Sequence, residues 1–160
     1  HPSVRRQRQM CIRDSDCIVQ RMEQRDGEQA EEYDMPQEEK EKMPEQYEAV
    51  SLDDFVEYSK SMFEYWTEDD FASSFRKMLT IEQFRSEEMQ KLYQQYLVAG
   101  PASYVKALFE SIGIVNAKDK AARFYAVMHF YYSLYDGAAD KEKVKVEFVS
   151  AIKSLVQDLA

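Results

Sequence analysis

The fold is decided near the end of the chain, where residues 117–159 read AKDKAARFYAVMHFYYSLYDGAADKEKVKVEFVSAIKSLVQDL. Apolar side chains recur at helical spacing up to Asp136 and again from Val144 onward. Asp136-Gly137 separates the two stretches, and Asp140 is placed to cap the second. Because the first stretch is aromatic on more than one face, the sequence predicts two long helices with more apolar surface than one packing face needs.

The stretch before it, residues 51–116, predicts further helices and no sheet. The chain has only 4 Gly and 4 Pro, fewer than the repeated turns of a β-sandwich require. Helix-start residues instead precede apolar periodic segments. The expected boundaries are a capping box at Ser51–Asp54, a cap at Thr67, a cap at Ser86, a break at Gly100-Pro101, a stop at Gly113 and a cap at Asn116.

The first fifteen residues differ in kind from the rest. Arg5–Ser15 read RRQRQMCIRDS, which matches the translation of a transposase adapter used in short-read library preparation. A basic DNA-binding arm and a plain charged tail are the alternatives. We interpret residues 1–15 as a disordered, adapter-derived artefact. The remaining divisions are a connecting helix over 16–33, a linker over 34–50 and one domain over 51–160.

The charge of the chain outside residues 1–15 makes direct nucleic-acid binding by that part unfavourable. The formal net charge is −9. Residues 1–15 contain four arginines and one aspartate, a net of +3, so the rest of the chain carries −12. A surface this acidic repels the phosphate backbone.

Three stretches resemble the TetR/AcrR family of transcriptional regulators: Phe63–Phe109, Phe124–Glu142 and Asp16–Gln24. The resemblance implies an all-α fold, the C-terminal helical bundle of that family, which dimerises through its last two long helices. It also implies a small-molecule effector and an N-terminal helix-turn-helix that binds operator DNA. Residues 1–15 stand where that module is expected, so operator binding is attributed to a missing N-terminal domain of a fragment.

The aromatic and methionine-rich faces predict a cavity for a small apolar or amphipathic effector, with tyrosine hydroxyls as polar contacts. His129 has two interpretations, a hydrogen-bonded histidine of the core or dimer interface and a polar contact to the effector. The expected ligand-binding residues are Met62, Trp66, Phe75, Tyr96, Tyr104, Met128 and His129. The expected homodimer interface contains Tyr125, Tyr132, Phe148, Ile152, Leu155 and Val156.

Enzymatic function is not expected. A single histidine outside residues 1–15 supplies no metal pair, and neither a Gly-rich phosphate loop nor a G-x-S-x-G motif occurs. We expect no cofactor and no metal. No apolar run is long enough to span a bilayer, so a cytoplasmic, non-membrane protein is expected. The alternative function is a free-standing helical module for protein–protein interaction.

Overall fold

The computed structural model of the chain describes residues 15–28 and 51–159, which fall into two compact units. Residues 15–28 form one helical segment of the first unit. The second unit contains six helices and, within its described residues, no strand. They are α1 (Leu52–Glu68), α2 (Asp70–Glu82), α3 (Glu87–Leu97), α4 (Ala99–Ser111), α5 (Ala117–Gly137) and α6 (Lys141–Leu159). The predicted all-α fold class is confirmed.

The N-terminal predictions fall partly outside the described residues. This holds for residues 1–14, the linker 34–50 and the part of the connecting helix beyond residue 28. Ser15, expected to be disordered, is instead helical and buried. The connecting helix is therefore described over 15–28, and it includes the last residue of the adapter-like stretch.

Local capping sets several helix starts as the sequence predicts. The backbone N–H of Asp54 donates to Ser51 Oγ, and the N–H of Ser51 donates back to Asp54 Oδ2, both at 3.2 Å. Ser86 and Asp140 accept from the N–H groups three residues ahead, at 3.2 and 3.1 Å. Each cap satisfies a donor that lacks a partner within its own helix.

Three predicted boundaries differ from the structure. The cap of α2 is Asp69, whose Oδ1 accepts from the Ala72 N–H at 2.8 Å, whereas Thr67 continues α1 and donates to the Phe63 carbonyl. Thr67 is buried, so its hydroxyl bonds back into its own helix. The break before α4 lies at Val98, two residues ahead of Gly100. Asn116 precedes α5 as predicted but has φ 56° and makes no side-chain cap.

Helix α5 lies at the centre of the bundle and packs against α1, α4 and α6. Its aromatic residues contribute to two ring clusters. One cluster joins Phe63 of α1 to Phe148 of α6 and Tyr132 of α5, with ring centroids 4.1 and 5.6 Å apart. The other joins Phe55 to Phe109 and Phe124 at 5.3 and 4.7 Å. Burial of these rings explains why α5 is apolar on several faces.

None of the described helices has the length and apolar character needed to cross a membrane.

Candidate functional site

A cavity of about 220 Å³ lies between α1, α3, α4 and α5. Seven of its thirteen lining residues are aromatic and two are methionines. Among the described residues that line it, none carries a formal charge. The lining residues are Tyr58, Met62, Trp66, Gln95, Tyr96, Gly100, Pro101, Tyr104, Val105, Phe124, Tyr125, Met128 and Tyr132.

The break between α3 and α4 forms one wall of this cavity. Gly100 is required there, because an added Cβ would lie 1.8 Å from the Gln95 carbonyl oxygen. The helix interruption leaves the Leu97 carbonyl available, and the Tyr125 hydroxyl donates a hydrogen bond to it. This bond ties α5 to the end of α3 and fixes the orientation of the Tyr125 ring in the wall.

The tyrosines that line the inner part of the cavity are neutral groups. Burial raises the pKa of Tyr125 and of Tyr132 well above the ordinary tyrosine value, because a phenolate would lose its hydration. Their hydroxyls therefore keep their protons near neutral pH. Unlike these two buried tyrosines, Tyr58 is 39% exposed, and the centroid of its ring lies 6.2 Å from that of Tyr104. The cavity is thus solvent-accessible on the Tyr58 side and neutral throughout.

The structure brings five of the seven predicted ligand-binding residues to this cavity and places two elsewhere. Phe75 is fully buried behind the wall, against the rings of Trp66 and Tyr96 at 6.3 and 5.0 Å. His129 lines a different cavity. His129 lies on α5 next to Met128, which does line the cavity, whereas α2, the helix of Phe75, contributes no lining residue. The five that line the cavity are Met62, Trp66, Tyr96, Tyr104 and Met128.

Several lining residues were not predicted from the sequence. Tyr125 and Tyr132 were assigned to a dimer interface, and Gln95 to no role. The dipeptide Gly100-Pro101 did carry a signal, since it marks a helix interruption where the backbone approaches a neighbour closely. That interruption forms the wall of the cavity between α3 and α4.

The predicted dimer residues lie mostly in the interior of the single chain. Tyr125, Tyr132, Phe148, Ile152 and Val156 are each at most 7% exposed in the single chain, and Leu155 is half-buried. Side chains that the protomer already covers offer almost no area to a partner. The side of α5 that faces solvent instead carries Ala122, Ala126, Phe130 and Leu134, each one helical turn from the next.

A second cavity of about 300 Å³ lies between α2, α3 and α5 and is more polar. Arg76 lies at its edge with a side chain only 6% exposed, and it forms two hydrogen bonds to Asp136, of 2.8 and 2.6 Å. The Arg76 Nε also donates to the Trp66 carbonyl at 3.0 Å, and the guanidinium lies 5.3 Å from the centre of the Tyr132 ring. Arg76 thus links α1, α2 and α5 between the two cavities.

A wider groove of about 660 Å³ runs between α1 and α6, and five of its ten lining residues are charged. Lys145 bridges it, with its Nζ 2.7 Å from Glu68 and 3.5 Å from Glu64. The hydrogen bond to Glu68 raises the pKa of Lys145, so the ammonium keeps its charge. These contacts hold α6 to α1.

No group of three or more metal-binding side chains occurs in the described part of the chain. Comparison with known proteins gives no match to any family model, to any curated protein or to any solved structure.

Proposed function

We propose that the chain is the regulatory part of a TetR-type transcriptional regulator, which binds a small effector in the cavity lined by Trp66 and Tyr104 and pairs with a second copy. The observation that carries the proposal is this neutral, aromatic, partly open cavity in a helical bundle. Concave apolar sites with a few polar groups are the usual form of small-molecule sites.

The dimensions and chemistry of the cavity define the effector class. Its volume, about 220 Å³, lies below the ~300–1,000 Å³ of sites for drug-sized ligands. A flat compound of one or two rings therefore fits. A formally charged ligand would lose hydration without gaining a counter-charge from the lining residues. The favoured effector is neutral, with one hydrogen-bonding group for a tyrosine hydroxyl or Gln95.

The outer side of α5 supports pairing with a second copy. Phe130 is 58% exposed and Leu134 is 39% exposed, and both belong to the row that begins at Ala122. A row of small and large apolar residues one turn apart is the pattern by which two helices pack closely. In this proposal the effector changes the separation of the two protomers. In this proposal neither the aromatic cavity nor the outer side of α5 contacts operator DNA, in keeping with the net negative charge of the chain.

Effector binding is tested with coumarin, a neutral two-ring compound, on the full 160-residue chain. Trp66 is the sole tryptophan of the sequence, so its emission reports directly on the cavity wall. We expect saturable one-to-one quenching, weakened about tenfold or more by Met62→Phe, which replaces a flexible side chain of the wall by a larger, rigid ring. Met78→Phe on α2, outside the lining, is the control and should leave binding unchanged. Linear, non-saturating quenching would contradict the proposed site.

Pairing is tested by sedimentation velocity on the same chain. A dimer has twice the 18.9 kDa of the monomer. Phe130→Asp should shift it to monomer, whereas Phe84→Asp, at a residue 84% exposed between α2 and α3, should not. A monomeric wild-type chain at micromolar concentration would favour the interaction-module alternative, in which the α5 face binds a different protein.

A further inference from the structure

The outer side of α5 carries a row of exposed apolar residues whose sizes are unevenly distributed along the helix. We call it the outer row, and its members are Ala122, Ala126, Phe130 and Leu134. They follow one another at intervals of four residues, which places them on one face. The two small residues come first and the two large ones follow. Phe130 is 58% exposed and Leu134 39%, so both keep apolar surface open to solvent.

Pairing with a second copy restricts how two outer rows can meet. A two-fold contact is between identical surfaces, so if residue i touches residue j of the partner, j also touches i. For antiparallel helices with the axis at the level of residue 128, Ala126 faces the partner's Phe130. In the same register Ala122 faces the partner's Leu134. Every member of the row then meets another member, and each small residue meets a large one.

Other arrangements match the sizes less well. Sliding the partner by one turn brings Ala126 against its own copy and leaves Leu134 opposite the partner's Lys118. Sliding it by one turn the other way puts two Phe130 rings together and leaves Ala122 beyond the end of the partner's α5. Parallel helices pair each residue with its own copy, so large residues meet at one end and alanines at the other. Close packing along the whole row therefore favours the antiparallel register at residue 128.

The charge along α5 favours the same arrangement. Residues 117–125 contain three basic side chains and one acidic side chain, a net charge of +2, whereas Asp136 is the one charged residue of 126–137. A parallel pair would place two positive halves side by side, which is unfavourable. An antiparallel pair places each positive half beside the other half of the partner. Because Asp136 already pairs with Arg76, the gain is less repulsion and does not need a new ion pair.

We infer that the second copy packs its α5 antiparallel to the first, with the two-fold axis at the level of residue 128. Ala122 and Ala126 form the recesses of the surface, and they receive the partner's Leu134 and Phe130. This inference rests on the pairing proposed above, and it adds the orientation and the register of the partner.

The orientation is tested by cross-linking the full chain, with Cys11 and Cys17 replaced by serine. Ala122→Cys and Leu134→Cys are made separately, and each is treated with bismaleimidoethane alone and in an equimolar mixture. Facing positions are in contact, whereas two copies of position 122 lie about 18 Å apart along the helix axis, beyond the reach of this short reagent. We expect a covalent dimer, with twice the mass of 18.9 kDa, from the mixture and at least fivefold less of it from either variant alone.

The register is tested by exchanging the sizes of one facing pair and measuring dimerisation by sedimentation velocity over a dilution series. Ala126→Phe alone places two rings opposite each other and should weaken dimerisation at least tenfold. Ala126→Phe combined with Phe130→Ala restores one large and one small residue to each contact, so dimerisation should return to within threefold of wild type. Ala107→Phe, at an exposed alanine of α4, is the matched control and should leave it unchanged.

The possible results separate the arrangement of the two helices from the pairing itself. A wild-type chain that sediments as a monomer would remove the proposed pairing and this inference with it. A dimer that cross-links through Ala122→Cys alone would show parallel helices, and a dimer that cross-links in no case would place the contact on another surface. Either result would overturn the inference while the pairing stands. A double variant as weak as Ala126→Phe would exclude the register.

Discussion

Removal of the Asp136 carboxylate tests the role given to the Arg76 pair. In Asp136→Ala the guanidinium of Arg76 keeps its bond to the Trp66 carbonyl but loses two short charge-assisted bonds. Breaking a fully buried pair costs about 3–5 kcal/mol, because one charge stays buried without its partner. Asp136 is 28% exposed, so water can partly replace its carboxylate. We expect a loss of about 2–3 kcal/mol in the free energy of unfolding.

The measurement is urea unfolding followed by far-UV circular dichroism, with the m-value required to stay unchanged. Glu110→Gln is the control, since its pair with Lys106 spans 3.6 Å and both side chains are about half exposed. That change should cost less than about 0.5 kcal/mol. A second variant, Arg76→Met combined with Asp136→Ala, removes the stranded charge and should be more stable than Asp136→Ala alone. A loss below about 0.5 kcal/mol in Asp136→Ala, or no recovery in the double variant, would refute the reasoning.

Two further predictions concern the wall of the aromatic cavity. Gly100→Ala should lower the free energy of unfolding by about 2 kcal/mol or more, because the added Cβ would collide with the Gln95 carbonyl. Gly137→Ala is the control and should change stability little, because the space around Gly137 is open. Equal melting temperatures for the two variants would contradict the close approach at Gly100. Stability should also fall as pH rises above 10, by on the order of 1 kcal/mol per buried tyrosine per pH unit, because the unfolded chain releases phenolic protons that Tyr125 and Tyr132 retain in the fold. Tyr125→Phe should flatten this slope in urea titrations at successive pH values, and an unchanged slope would count against burial as the cause.

The helical architecture could be predicted because its determinants are local. Ser51, Ser86 and Asp140 each cap a helix with a side chain that reaches three residues ahead. Such signals need no knowledge of tertiary structure. Thr67 shows the limit of the method, since a threonine followed by acidic residues also fits a helix interior. Its burial, which favours a bond to its own helix, depends on what packs against α1.

The aromatic cavity was predicted in part, and the errors have a common physical origin. Helix α5 is apolar around most of its circumference, so periodicity cannot distinguish its inner side from its outer side. Tyr125 and Tyr132 were consequently assigned to the homodimer interface, and Phe130 was given no role there. The Arg76–Asp136 pair joins residues 60 positions apart, and no local pattern indicates a partner at that distance. The position of Arg76 between the apolar residues Phe75 and Leu79 did indicate a buried charge, and a buried charge requires an oppositely charged partner.

Tyr132 lines both cavities and carries Arg76 beside its ring. Its side chain is 3% exposed, so a shift toward one cavity must change the shape of the other. Two ligands that meet at such a residue obey thermodynamic reciprocity: each alters the affinity of the other by the same factor. A molecule bound between α2 and α5 would therefore change the affinity of the aromatic cavity for its own ligand. Because Tyr132 is the residue that lines both cavities, Tyr132→Leu should remove that coupling.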